Sequence, residues 1–206
     1  MRFDFVALMS SYRSIDRSAP FHCELGAELK KRGYSFAGIT ISRVTDRLAA
    51  SYGHTYFNLH DMTKELKHKR SINYAEEGAR IEQQYNISVK DYCQAEALLV
   101  IKHSKNDKQL SEEVIEDFIL VEDFLESHEV GGFIQNQGGE IIRRALSQVG
   151  KQRNIPSVWI NWSPLKEHMT LNPGELDDSI KEVKTFKNLT KEEISEAEAY
   201  IASFRN

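Results

Sequence analysis

The sequence predicts an α/β fold, a parallel sheet flanked by helices with a helical excursion around residues 61–110, and three observations carry that prediction. Short apolar segments alternate with helical stretches over the first sixty residues. From residue 61 to about 111 the glycine-bounded apolar segments stop and polar helical sequence takes over. The run VGGFIQNQGGEIIRRALSQVGKQRNIPSVWINWSP, residues 130–164, then reads as strand, glycine turn, helix, strand and polar loop, which is one βαβ unit.

Phe3 to Met9 is a short apolar run ending in Ser10, Ser11 and Tyr12, the pattern of a buried first strand entering a surface loop. After Pro20, Phe21, Leu25 and Leu29 recur every fourth residue, Lys30, Lys31 and Arg32 occupy the last turn, and Gly33 stops the helix. Residues 34–41 supply a second strand, 43–52 a short helix, and HTYFNL a third strand. YAEEGARIEQQYN and VKDYCQAEALLVI form the helical excursion, and the polar run KHSKNDK, 102–108, links it to a helix from Ser111 to Ser127. That helix shows a stripe of Val114, Ile115, Phe118, Ile119 and Leu125, and Glu112, Glu113, Glu116 and Asp117 suit its N-terminal half.

In the βαβ unit, Gly131 to Ile134 is expected to form the strand. Ile141, Ile142, Ala145, Leu146 and Val149 repeat with helical period behind Gly138 and Gly139, leaving Arg143, Arg144, Gln148, Lys151 and Gln152 facing outward. The NIP step at 154–156 ends the helix and SVWIN resumes as a strand. Near the end, Thr190 and Glu193 match a capping box with Leu189 and Ile194 as its hydrophobic staple, and Ile194, Ala197, Ile201 and Phe204 follow at helical steps. This last helix is expected to dock its apolar stripe on the domain or on a partner. The alternation as a whole is that of a Rossmann-like sheet.

Composition narrows the function. With 206 residues and 40% apolar content the chain can bury a core, and a net charge of −4 with both signs interspersed supplies no basic stripe for nucleic acid. Cys23 and Cys93 are too far apart for a CxxC pair and suit a reducing compartment as buried spectators. The apolar runs are too short to span a bilayer and Asp4 interrupts any signal-like start, so a cytoplasmic location is expected. His54, His60, His68, His103 and His128 show neither HxH nor HxxxH spacing, so no metal site is expected, and no nucleotide fingerprint or phosphate-loop lysine is present. No cofactor is expected.

The chemistry concentrates in three segments. QNQGGE offers the side-chain amides of Gln135, Asn136 and Gln137, the permissive Gly138 and Gly139, and the start of a helix, where a phosphate, carboxylate or sugar hydroxyl can sit. The competing reading is a plain strand-to-helix turn in which Glu140 only answers the helix dipole. The loop SSYRSIDRSAPFH holds Arg13 and Arg17 as anion partners, and His22 as a general base if Asp16 orients it, against the plainer reading of a surface histidine. Asn161, Trp162, Ser163, Lys166 and His168 follow the last strand; Asn161 and Ser163 suit ligand contact, and Trp162 suits the core or a partner.

With these residues in view, the chain resembles the N-terminal, acceptor-side half of GT-B glycosyltransferases of surface and capsular polysaccharide synthesis. The likeness lies in a strand ending in Met9, Ser10 and Ser11 before a helix with GAELKKRGYSFAGIT, in GFIQNQGGEIIRRALSQVGKQRNIPSVWINWSP, and in LTKEEISEAEAYIASFR as a bridge-like helix over 190–205. The resemblance implies that Ser10, Ser11, Arg13, Arg17, Gln137, Gly138, Gly139, Asn161 and Ser163 contact a carbohydrate or lipid-linked acceptor. It makes His22 and Glu140 the candidate bases that deprotonate the acceptor hydroxyl. It further implies that a nucleotide-sugar donor binds a second domain or partner subunit, so that the chain alone is expected to be inactive. It leaves room for peripheral membrane association and a homo-oligomer. Two other classes stay open: a non-catalytic binding or assembly domain, and a different Rossmann-like sugar-modifying enzyme such as an epimerase.

Overall fold

A computed structural model describes residues 1–9, 18–93, 106–136, 141–162 and 169–172, with 190–192, 194–195 and 198–199 near the end. The chain opens with β1 (Arg2–Phe3) and β2 (Phe5–Met9), followed by α1 (Ser18–Lys31), β3 (Phe36–Thr40), α2 (Arg43–Ser51) and β4 (Thr55–Asn58). The helical excursion holds α3 (Leu59–Lys69), α4 (Tyr74–Tyr85) and a helical stretch at 89–93. Then come α5 (Asp107–Ser127), β5 (Glu129–Val130), β6 (Phe133–Asn136), α6 (Ile141–Gln152), β7 (Ser157–Trp162) and β8 (Met169–Asn172).

Six strands form one sheet in the order β4-β3-β2-β6-β7-β8, parallel throughout except for β8, which runs antiparallel at the edge. β1 and β5 make a separate short parallel ribbon. The fold is therefore α/β and Rossmann-like. Parallel strands buried on both faces need apolar residues on both faces, and FVALM and FAGIT have them. On one face Ala7, Met9, Phe36, Ile134 and Ile160 pack under α1 and α2 through Cys23 and Ala49. On the other, Val6, Leu8, Ala37, Ile39 and Phe133 pack under α3 to α6 through Leu66, Ile81, Phe118 and Leu146.

Local signals place the elements. Gly33, at φ +88°, takes the left-handed turn that ends α1 as expected. Gly26 lets α1 lie directly on β3, since a Cβ there would stand 2.3 Å from a ring carbon of Phe36. The N-terminus of α2 carries a reciprocal capping box between Ser42 and Thr45.

Three boundaries differ from the sequence reading, the first being α1, which starts at Ser18 and not after Pro20. α5 begins at Asp107, inside the stretch read as a linker, because Asn106 accepts from the Gln109 amide at 2.9 Å while the Gln109 side chain accepts from Asn106 N at 3.1 Å. Ser111, read as the helix start, sits inside it and donates its hydroxyl to the Asp107 carbonyl, the alternative use of serine within a helix. The strand expected at 131–134 lies at 133–136 instead. Gly131 passes so close to the β1–β2 junction that a Cβ would come within 2.7 Å of the Asp4 carbonyl oxygen, and pairing resumes only at Phe133. β8 and the β1–β5 ribbon were not anticipated, because two to four residues carry no periodicity of their own.

The acidic residues of α5 do more than answer its dipole. Glu116 accepts from the Tyr74 hydroxyl at 2.6 Å and pairs with Lys67 at 2.8 Å, while Glu122 takes both Arg80 guanidinium nitrogens and the Tyr85 hydroxyl. These buried carboxylates clasp α3 and α4 to α5. Both cysteines are buried and free, and burial pushes the Cys23 thiol up to about 11, so it stays protonated and inert at neutral pH. Among the described residues no helix is long and apolar enough to cross a membrane. In the helical stretch near the end, Ile194 is 43% exposed, and the remaining stripe residues Ala197, Ile201 and Phe204 lie outside the described residues.

Candidate functional site

Strand order reverses between β2 and β6. β2 is followed by α1 on one face of the sheet and β6 by α6 on the other, so the two connections diverge from neighbouring strand ends. Open α/β sheets bind ligands outside the carboxyl ends of strands at such a switch point. The register Val6↔Phe133 and Ala7↔Ile134, continued two residues, sets Met9 level with Asn136, and Asn136 pairs with Ile160 of β7. The three segments singled out by sequence therefore start from three adjacent strand ends on one edge.

The individual residues divide into two groups. Ser10, Ser11, Arg13, Arg17, Gln137, Gly138, Gly139, Glu140 and Ser163 lie outside the described residues, as does the side chain of Asn161, whose backbone pairs with Thr170 in β8. His22 is described, and it is not the surface histidine of the plainer reading. It sits in α1 at 0% exposure with its ring 5.8 Å from that of Phe21.

The end of β6 carries polar groups that a strand buried on both faces must otherwise exclude. Gln135 and Asn136 both lie in the strand and are buried, and their side chains alternate to opposite faces of the sheet. Gln135 Nε2 donates to the Ser147 and Ser157 hydroxyls at 3.2 and 3.4 Å. The Asn136 side-chain oxygen is buried with no hydrogen-bond partner among the described residues. Buried polar atoms are nearly always paired, so such an atom at a switch point makes this strand end the candidate site.

Arg143 corrects the outward-facing reading of α6. Only 1% exposed, it turns back from the helix and donates Nη1 to the Asn136 carbonyl at 2.6 Å. A strand-end carbonyl has no further ladder partner, and the guanidinium supplies one at the cost of its own burial. Helical periodicity put Arg143 outside because period cannot register a side chain that folds along the helix toward a neighbouring strand. The next residue, Arg144, lays its guanidinium 4.1 Å from the centre of the Tyr92 ring.

Two strands away, at the carboxyl ends of β3 and β4, Asp46 binds Thr40 and Asn58 in a buried cluster that Arg43 and Asp61 continue to the surface. Beside it a groove of about 500 Å³ is lined by Ile41, His60, Lys67, Glu112, Glu113 and Glu116. The sequence reading missed this cluster. Its one available signal was that polar residues, Thr40 and Asn58, close two otherwise apolar strands.

His54 gives the α1 face a pH dependence. Its Nε2 lies 2.8 Å from the Cys23 carbonyl, which can only accept, so Nε2 carries the proton and the buried Nδ1 is the bare nitrogen. Burial, the larger cause, and the nearby Lys30 lower its pKa against the opposing hydrogen bond to Cys23. Below the ordinary histidine value of about 6.5 the unfolded chain gains a proton that the folded one refuses, so stability falls with pH in that range. Denaturant midpoints between pH 7.5 and 5.5 are expected to drop less for His54→Gln than for the native chain; equal drops would assign the effect to other histidines.

The strand order and the polar switch point define the chain as a Rossmann-like α/β domain with its candidate binding site at the β2/β6 edge. No family model, curated protein or solved structure matches it, so the class rests on this geometry.

Proposed function

We propose that the chain is the acceptor-side domain of a GT-B-type sugar-transferring enzyme of surface polysaccharide or glycoconjugate synthesis. The observation that carries the reading is the switch point itself: SSYRSIDRSAPFH, QNQGGE and NWS begin at neighbouring strand ends of one sheet edge. Their side chains are hydroxyls, amides and arginines, suited to a sugar and its anionic attachment. The donor nucleotide-sugar binds elsewhere in this reading, on a second domain or partner. Of the two candidate bases, Glu140 is favoured, because it directly precedes α6 at the binding edge while His22 is wholly enclosed. A base so placed typically contributes ~10²–10⁴-fold to transfer.

The test is ligand specificity of the chain as it stands. Saturation-transfer NMR is expected to show contact with saccharides or lipid-linked saccharides and none with nucleotide-sugars. The opposite result, nucleotide-sugar bound and saccharide ignored, would replace the proposal with an epimerase-like or other nucleotide-sugar enzyme.

A further inference from the structure

We infer that the β2/β6 switch point receives an uncharged sugar ring, held through neighbouring hydroxyls by the side-chain amide of Asn136, and that phosphate is excluded from this position. The inference rests on the carbohydrate-acceptor reading and narrows it. Asn136 ends β6 directly before the segment that leads into α6, is 7% exposed, and keeps its Oδ1 buried without a partner among the described residues. Its main chain is already held, since Arg143 in the first turn of α6 donates to the Asn136 carbonyl at 2.6 Å. The main chain is thus held at the strand end, and among the described residues the side-chain amide keeps an unused acceptor.

The start of a twelve-residue helix without an acidic first turn would by itself invite an anion. Asn136 decides against it. A phosphate diester, or a monoester past its second ionisation, offers only acceptors, and a second acceptor facing Oδ1 repels it; a hydroxyl donates to Oδ1 and accepts from Nδ2. A ring with two adjacent hydroxyls uses both halves of one amide. The groove at the carboxyl ends of β3 and β4 presents Glu112 and Glu113 beside the Glu116–Lys67 pair, which leaves that flank with more acidic than basic groups. The phosphate of a lipid-linked acceptor then lies outside this position, with the terminal sugar inside.

The experiment is a titration of the ¹⁵N-labelled full chain with methyl hexosides and N-acetylhexosamines, and separately with methyl phosphate above its second ionisation at matched ionic strength. Saturable shifts at Ile134, Gln135, Asn136 and the first turn of α6 are expected from the neutral sugars and not from phosphate. Asn136→Leu should weaken sugar binding by at least about tenfold, the scale on which a site built for a hydroxyl loses its partner. Asn136→Asp, which keeps an acceptor but gives up the Nδ2 donor, should bind between the native chain and Asn136→Leu. Circular dichroism shows whether Asn136→Leu is folded; if it is not, the native chain and Asn136→Asp carry the test. Phosphate shifting these residues while sugars do not, or sugar binding indifferent to both substitutions, overturns the inference but leaves the edge a binding site. No response to either class removes the acceptor reading along with it.

Discussion

Replacing Phe118 by alanine is expected to destabilise the protein by about 3–5 kcal/mol, the range for emptying a fully enclosed aromatic site. Phe118 is 0% exposed, and its ring lies 5.1 Å from that of Tyr85 in α4 and 5.6 Å from that of Tyr92 in the helical stretch at 89–93. The side chain therefore joins α5 to two parts of the helical excursion at one point and sits in the same core as Val6, Leu8 and Ile39 of the sheet. Its neighbours are ring systems held by their own hydroxyl bonds to Glu122 and by Arg144, so they cannot collapse freely into the space. Urea unfolding measures the loss as a lower midpoint at unchanged slope. Phe118→Leu, which refills most of the volume, should cost much less, under about 1.5 kcal/mol. A small effect from the alanine variant would mean that α4 and α5 are not part of the cooperative core.

Asp46→Ala has the second largest expected effect, about 2–4 kcal/mol, from leaving buried donors without an acceptor. The carboxylate, 4% exposed, accepts from the Thr40 hydroxyl at 2.5 Å and from Asn58 Nδ2 at 2.9 and 3.0 Å. With it gone, the Asn58 amide loses its acceptor and the Thr40 hydroxyl keeps only a 3.4 Å contact to the Phe57 carbonyl. Arg43 reaches the same carboxylate at 3.1 Å, but its side chain is 62% exposed and retains Asp61 at 2.8 and 2.6 Å. Exposed pairs of that kind contribute little, so Arg43→Ala should stay close to the native stability. Thermal or urea denaturation of the two variants separates the roles, and equal losses would show that the ion pair, not the buried amide and hydroxyl, holds the cluster. Because Thr40 and Asn58 end β3 and β4, the cluster also fixes the flank of the switch point.

Legibility in the sequence followed the range of the forces involved. β2, β3, α2 and β4 were readable to within about two residues, and the end of α1 likewise, because a four-residue apolar repeat, terminal lysines and Gly33 all pointed the same way; its start lay at Ser18, ahead of the Pro20 from which it was read. At α5 two local signals competed: Ser111 resembled a cap, while the reciprocal pair Asn106 and Gln109 made the real one. Asn136 was visible as a side-chain amide near a glycine turn. That its oxygen is enclosed and unmatched depends on its place in β6, and a two-residue shift of that strand decides it. The residues named around it, from Ser10 to Arg17 and from Gln137 to Glu140, mostly lie outside the described residues, so their part in the site stands on the strand ends they leave.

By itself the sequence determined the α/β class, the order of strands and helices through most of the chain, and the loop ends where polar chemistry gathers. Periodicity and turn residues act over a few positions and need no distant partner. Only the tertiary structure decided that β2 and β6 are neighbours, that Arg143 folds inward to the Asn136 carbonyl, and that Asp46, Thr40 and Asn58 form one cluster. Those outcomes depend on which surfaces are enclosed together, and burial is a property of contacts between segments far apart in the chain.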